Sequence, residues 1–249
     1  MRPRPLEKLF APPPRRAYGF HPAMKLTYFG HSCFLVETSQ ARLLLDPFLN
    51  DNPQSPVKAA AVRCDYVLVS HGHEDHSGDA LEIAKRCDAT IVANYEIAEY
   101  FAAQGAKTHG MNPGGGFDFP FGRVKLTIAH HTSSVEAGLH PVYLGAPCGL
   151  LISADGWKLY HAGDTALFLD MQLIGRAGLD AALLPIGDNF TMGPDDALLA
   201  LDFLKPKVAV PIHYNTWPVI AQDAAAFAAR AAQAGHAVRI LAPGEWLEL

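Results

Sequence analysis

Six consecutive residues, His71-Gly72-His73-Glu74-Asp75-His76, constrain what this chain can fold into more than any other feature. They follow Tyr66-Val67-Leu68-Val69-Ser70, a β-branched and aromatic run that reads as a buried strand. Three imidazoles and a carboxylate leaving a strand end on one glycine-containing loop can converge within a few ångströms. Neutral imidazole and carboxylate are ligands that Zn, Mn and Fe accept, so the run reads as a metal-binding loop. The competing reading is a solvated polar loop.

Bulk properties narrow the field. The chain has 249 residues, 49% hydrophobic and 18% charged, which suits one globular domain or two closely fused halves. No stretch of about 18 apolar residues occurs, so no membrane span is expected. Cys33, Cys64, Cys87 and Cys148 are far apart in sequence and form no C-x-x-C pair. Reduced, mostly buried thiols in a cytoplasmic protein are the expectation. Residues 1–24 carry five cations against Glu7, a net +4; with −5 for the whole chain, the remainder carries −9. So acidic a body is a poor match for a nucleic-acid backbone. Residues 1–23 are rich in proline and arginine, lack an apolar core for a secretory signal, and read as a loosely ordered extension. Residues 24–249 form the expected domain, and Met24-Lys25 reads as an alternative start. Oligomeric state leaves no trace in the sequence.

Strands are expected over 25–29, 33–37 and 42–45, the third closed by Asp46-Pro47. After the histidine loop come a helix over 79–86 with Asp79 as its cap, a strand over 90–92 and a helix over 96–103 stopped by Gly105. Asn112 to Gly116 reads as a loop, and not as a phosphate cradle, since no Lys-Ser/Thr follows. A second block begins with strands over 124–129, 149–153 and 157–161, the last two joined by an Asp155-Gly156 hairpin turn. A helix over 166–174, a strand over 181–184, a helix over 194–204 opened by Pro194 and a strand over 208–210 follow. An alanine-rich helix over 223–234 and short strands over 238–241 and 246–249 end the chain. Strands precede helices in each half, which predicts an α+β fold of two packed sheets with helices outside, an αββα sandwich.

Three more polar spots sit where strands are expected to end. They are His130-His131-Thr132-Ser133-Ser134, Gly163-Asp164-Thr165 and His213-Tyr214-Asn215-Thr216. Strands are rigid and their exit loops adjustable, so strand ends can gather distant ligands at one sheet edge.

Together these residues resemble the metallo-β-lactamase superfamily. The order His71, His73, Asp75, His76, then His131, then Asp164 within His-Ala-Gly-Asp-Thr, then His213 follows its ligand order, from about Met24 to the C-terminus. The chain is most similar to small single-domain hydrolases related to ascorbate-6-phosphate lactonases. Gly30-His31-Ser32, Asp46-Pro47 and Pro185-Ile-Gly-Asp-Asn-Phe-Thr-Met-Gly193 carry that finer match. The resemblance implies a four-layer metallo-β-lactamase-type sandwich with two divalent ions, Zn or Mn, or Fe, at the sheet edge. It implies that His71, His73 and His131 hold the first ion, Asp75, His76 and His213 the second, and that Asp164 bridges them. His131 is preferred over His130 because it directly precedes a small residue and two serines.

Two ions sharing a water can lower its pKa from 15.7 toward about 7 for attack on a carbonyl or phosphorus. The leaving group then needs a proton, from Asp75 or from a water. His31 is expected to act behind the ligands rather than as one, and Asp46 to orient the ligand loop. Glu74 is expected to point outward and His161 to be a satisfied core histidine. Asp188, Asn189, Asn215 and Thr216 read equally as substrate contacts or turn formers. The reading is thus a metal-dependent hydrolase of a small ester, lactone or phosphate ester. A nucleic-acid phosphodiesterase and a non-catalytic metal- or ligand-sensing module on the same fold are the alternatives. A flavin-linked di-iron member would carry a glutamate at position 73 and an added domain.

Overall fold

The structure, a computed structural model, describes residues 22–137 and 140–249. The extension expected over 1–23 therefore lies, apart from its last two residues, outside the described residues.

Alternating apolar side chains build the first sheet. β1 (Lys25–Tyr28), β2 (Phe34–Glu37) and β3 (Arg42–Leu45) form an antiparallel meander. β4 (Tyr66–Leu68), β5 (Thr90–Asn94) and β6 (Lys107–Met111) extend it in parallel. The ligand loop folds into a one-turn helix, α1 (Glu74–Ser77). α2 (Ala80–Cys87) and α3 (Tyr95–Ala102) make the crossovers between the parallel strands. Parallel strands need such crossovers, and the helices cover the outer face of the sheet.

The second sheet repeats the plan. β7 (Gly116–Phe119), β8 (Gly122–Ile128), β11 (Cys148–Ala154) and β12 (Trp157–His161) pair antiparallel. β13 (Ala181–Pro185) and β14 (Val208–Ile212) then add in parallel. Between β8 and β11 a separate hairpin, β9 (Ser134–Ala137) with β10 (His140–Tyr143), stands apart from both sheets. α4 (Met171–Gly175), α5 (Pro194–Leu204) and α6 (Ala224–Gln233) cover the outer face, and β15 (Trp246–Glu248) returns to pair with β1. Pro211, which cannot donate to a ladder, falls on edge strand β14.

The two-residue period of a strand sorts side chains between layers. Leu43 and Leu45 of β3 face the inter-sheet core with Phe34, Leu68, Leu126, Leu150, Ile152 and Leu159. Leu44, between them, packs outward with Val67, Ile83, Ile91 and Ile97 under α2 and α3. On the other side Tyr160, Leu184 and Ala209 meet Met171, Leu201 and Phe227. The four layers are those of the expected αββα sandwich. No helix among the described residues is long and apolar enough to cross a membrane.

Several expected elements differ. The helix expected over 166–174 shrinks to α4 because Ala166 N donates to His130 O (3.0 Å), tying that segment to the end of β8. The strand expected over 238–241 is a single bridge between Ala209 and Val238. β6, β7, β9 and β10 carry polar and glycine-rich stretches with no clean alternation, so pattern alone did not reveal them. Asp79 occupies the N-cap position of α2 but does not cap it. Its carboxylate accepts instead from Leu49 N (2.6 Å), Asn50 N (3.0 Å) and Asn50 Nδ2 (2.7 Å), pinning the segment after β3. Hydrogen bonds to a charged acceptor are worth about 1.5–3 kcal/mol. Asp79→Ala is accordingly expected to lose that much stability, read as a lower urea midpoint at unchanged slope.

Candidate metal centre

The parallel strands of both sheets end on one edge, and the polar residues follow those ends. Asp46 follows β3, Ser70-His71 follows β4, Asp164 follows β12 and His213 follows β14. Ligand sites form outside the carboxyl ends of such strands because the exit loops diverge there.

Asp46 sets the geometry. Its Oδ1 accepts from Ser70 N (2.7 Å), and its Oδ2 accepts from Ser70 Oγ (2.7 Å), His76 Nδ1 (2.9 Å) and His161 Nε2 (2.8 Å). Burial would raise this carboxyl, but the facing His161 and His76 hold it well below the ordinary carboxylate range. With Nδ1 committed to Asp46, His76 presents Nε2 to the interior. His71 sits with Nδ1 against Ser70 Oγ (3.0 Å) and Nε2 toward His73 (3.1 Å). Gly72 lets this loop pass beneath the β9–β10 hairpin: a Cβ there would lie 2.9 Å from Leu144 Cδ1 and 3.2 Å from Ser134 O. Gly163, at φ +60°, plays a similar part, since a Cβ would sit 2.8 Å from Ser70 Cβ. The turn of α1 then separates His73 from Asp75 and His76.

Three overlapping groups result. His71, His73 and His131 each bring a ligand atom within 4.8 Å of the others, as do His31, Asp75, His76 and His213; His71, His76 and Asp164 link the two. Asp164 Oδ2 lies 3.0 Å from His213 Nε2, 3.6 Å from His131 Nε2 and 4.0 Å from His71 Nε2, and its Oδ1 is 3.2 Å from His76 Nε2. Close as they are, the buried His76 Nε2 and Asp164 Oδ1 make no hydrogen bond. Two buried ligand-type atoms 3.2 Å apart without hydrogen-bond geometry suit a shared cation.

The electrostatics fit that donor set. Burial pushes His71 well below its ordinary value and lowers His73 and His131, so these imidazoles stay neutral. Against their burial, Asp164 and Asp75 are held well below the carboxylate range by the histidines around them. Asp164 in turn pushes His213 up to about 9 and His76 well above its ordinary value, in both cases overriding burial.

The neighbours sort as follows. His31, fully buried at φ 56°, holds Asp75 Oδ2 at 3.1 Å from Nε2 and Thr216 Oγ1 at 2.8 Å from Nδ1. Its N donates to Gln54 Oε1 (3.2 Å), which also accepts from Thr216 Oγ1 (3.3 Å). Thr216 is thus tied to His31 rather than free for a substrate. His130 is exposed, its ring edge-on to Phe168 at 5.1 Å, while His131 faces the cluster. Glu74 is exposed. Asp188, Asn189 and Asn215 are exposed left-handed turn residues. Asp188 Oδ1 accepts from Asn189 N (2.9 Å) and Asn215 Oδ1 from Gln222 N (2.7 Å). His161 is buried but not fully satisfied, since its Nδ1 has no partner and its Nε2 serves Asp46. Sequence reasoning missed Ser70, Gln54, Phe190 and Trp217. Ser70 had a signal, as the last residue of the strand feeding the loop. The centre opens into a pocket of about 340 Å³ lined by His73, Asp75, His131, Thr132, Asp164, Phe190, His213 and Trp217.

Comparison with known proteins bears on this centre. Residues 41–214 match the model of the beta-lactamase superfamily domain. The chain belongs to the beta-lactamase superfamily. It is 54% identical over 227 residues to a UPF0173 metal-dependent hydrolase of Opitutus terrae, covering 91% of this chain and all of that one. A second UPF0173 metal-dependent hydrolase, from Pelotomaculum thermopropionicum, is 53% identical over 229 residues, with 91% and 100% covered. Among solved structures, the metallo hydrolase Igni18 of Ignicoccus hospitalis superposes with a TM-score of 0.84 at 39% identity, over 92% of this chain and 99% of that one. At that identity and coverage the chain belongs, within this superfamily, to the UPF0173 metal-dependent hydrolase family.

Removing Asp46 strands Ser70 N, His76 Nδ1 and His161 Nε2 in a buried place. Breaking a buried charged pair costs about 3–5 kcal/mol. Asp46→Ala is expected to destabilise the fold by that amount in chemical denaturation, whereas an exposed control such as Glu74→Ala stays within about 0.5 kcal/mol.

Proposed function

We propose that this chain hydrolyses a small ester, lactone or phosphate ester at a centre of two divalent ions, Zn or Mn, with Fe as a third possibility. In this reading His71, His73 and His131 hold one ion, Asp75, His76 and His213 the other, and Asp164 bridges them. One observation carries it: a buried carboxylate, Asp164, stands within 3.0–4.0 Å of imidazole nitrogens from both groups. When bound, the ions would supply an acidified water as nucleophile and a Lewis acid facing the developing negative charge.

The side chains do the rest. Asp75 is 25% exposed against 3% for Asp164, so of the two carboxylates Asp75 is the one able to pass a proton to a leaving group. His76, His213 and His31 hold that carboxyl low, which makes it a weak base that keeps the proton only in passage. His31 fixes its position from behind, itself held by Thr216. His31 stays neutral, since burial pushes it down to about 4. All four cysteines are free, which supports a reducing, cytoplasmic setting.

Chelation is expected to abolish turnover, and re-addition of Zn or Mn to restore it. Asp164→Ala should lose metal and turnover together; full activity with both ions retained would refute the bridging role. His131→Ala should lose metal, whereas exposed His130→Ala keeps it. Stoichiometric metal binding with no turnover on any ester, lactone or phosphate ester would favour a sensing role. Metal affinity should also depend on pH. At pH 7 chelated protein carries protons on His76 and His213, and an ion must displace them. Calorimetry in buffers of different ionisation enthalpy should therefore show about two protons released, with affinity rising toward pH 9.

A further inference from the structure

The pocket above the centre has a character of its own, and the inference from it rests on the hydrolytic reading. Two aromatic side chains line it, Phe190 and Trp217. Trp217 is half-buried and packed, its ring 5.1 Å from His31 and 5.9 Å from Phe48. Phe190 is the opposite, 55% exposed.

The loop carrying Phe190 is built to hold it there. Asp188 (φ 60°) and Asn189 (φ 47°) are both left-handed, a conformation that costs a non-glycine residue free energy. Asp188 N donates to Met192 O (3.1 Å), Thr191 N donates to Asp188 O (3.1 Å), and Phe190 N bonds to the same carbonyl. Met192 N donates to Thr165 O (2.9 Å), one residue from Asp164. A strained turn tethered beside the centre thus holds an apolar ring in water. The turn's own hydrogen bonds account for its left-handed residues; the exposed ring facing the pocket beside Trp217 is what a ligand would cover.

Charge gives the second constraint. The ionisable groups lining the pocket are histidines, Asp75 and Asp164; among the described residues no lysine or arginine lines it. A phosphate would find its counter-charge in the ions themselves, but no lysine or arginine among the described lining residues holds a charged group on the rest of a substrate. An apolar wall with few convergent polar groups instead suits an uncharged molecule with a flat apolar part.

We propose that the substrate is an uncharged carboxylic ester or lactone bearing an aromatic group, held by Phe190 and Trp217 with its carbonyl over the centre. Water adds across the acyl C–O bond: a new C–O bond forms at the carbonyl carbon, the bond to the alkoxy oxygen breaks, and that oxygen takes a proton. An ester gives an acid and an alcohol or phenol, a lactone one hydroxy acid carrying both, with no oxidation or reduction.

Dihydrocoumarin, δ-valerolactone and phenyl phosphate separate the possibilities on metal-reloaded full-length protein. Dihydrocoumarin is expected to have a kcat/KM about tenfold above δ-valerolactone, mainly through KM. Phenyl phosphate should fall about 100-fold below dihydrocoumarin. Phe190→Ala should raise KM for dihydrocoumarin about tenfold, more than it lowers kcat, with metal content and Tm unchanged. Turnover of phenyl phosphate equal to that of the lactones, or a Phe190→Ala variant with unchanged KM for dihydrocoumarin, would overturn the substrate class and leave the hydrolytic reading intact. No turnover of any of the three at full metal content would count against the hydrolytic reading instead. The pocket is then judged by binding alone. Quenching of tryptophan fluorescence by dihydrocoumarin, lost in Trp217→Phe and weakened about tenfold in Phe190→Ala, supports it, and absence of quenching overturns it.

Discussion

Everything at the candidate centre hangs on the carboxylate of Asp46. Fully buried, it takes four hydrogen bonds from three residues, and those residues belong to different parts of the fold. Ser70 lies two residues past β4, at the start of the histidine loop, His76 sits on α1, and His161 closes β12 of the other sheet. One anion therefore registers the two sheets against each other and aims a ligand-bearing imidazole. Such a network is favourable only when satisfied, because a buried charge left with an empty partner is costly. Its surroundings carry strain as well: His31, Asp46 and His213 all adopt left-handed backbone, at about 1–3 kcal/mol each. His213 N donates to His31 O (2.8 Å), so two of these strained residues hold each other.

The same economy runs through the topology. Each sheet begins antiparallel and ends parallel, so each half of the chain brings parallel strand ends to one edge. The core between the sheets supplies rigidity, and the exit loops supply chemistry. Where loops approach closely, glycine is required, as at Gly72 beneath the hairpin and at Gly163 against Ser70.

Sequence reasoning reached much of this because the informative residues cluster at strand ends. The histidine loop and the polar strand ends stood out by position, the resemblance picked the ligands among them, and the structure brings His71, His73, Asp75, His76, His131, Asp164 and His213 into three overlapping groups. β3, β12 and α5 match their expected bounds because apolar period and end signals agree there. What escaped depends on tertiary contact. The helix expected from Ala166 has helical character but is held open by the bond to His130 O. Asp79 looks like a cap and serves the segment after β3 instead. His161 reads as a core histidine, and only the packing of the second sheet onto the first shows that it anchors Asp46. Phe190 stands in the sequence only as one residue of the Pro185–Gly193 stretch. Its exposure and its place over the centre exist only once β13 and α5 set the loop.

A two-ion centre framed by Asp46 is the central claim, and anomalous diffraction from crystals of the manganese- or zinc-loaded protein tests it most directly. Two peaks are predicted, one among His71, His73 and His131 and one among Asp75, His76 and His213, with Asp164 between them. A single peak, or peaks away from these residues, would contradict it.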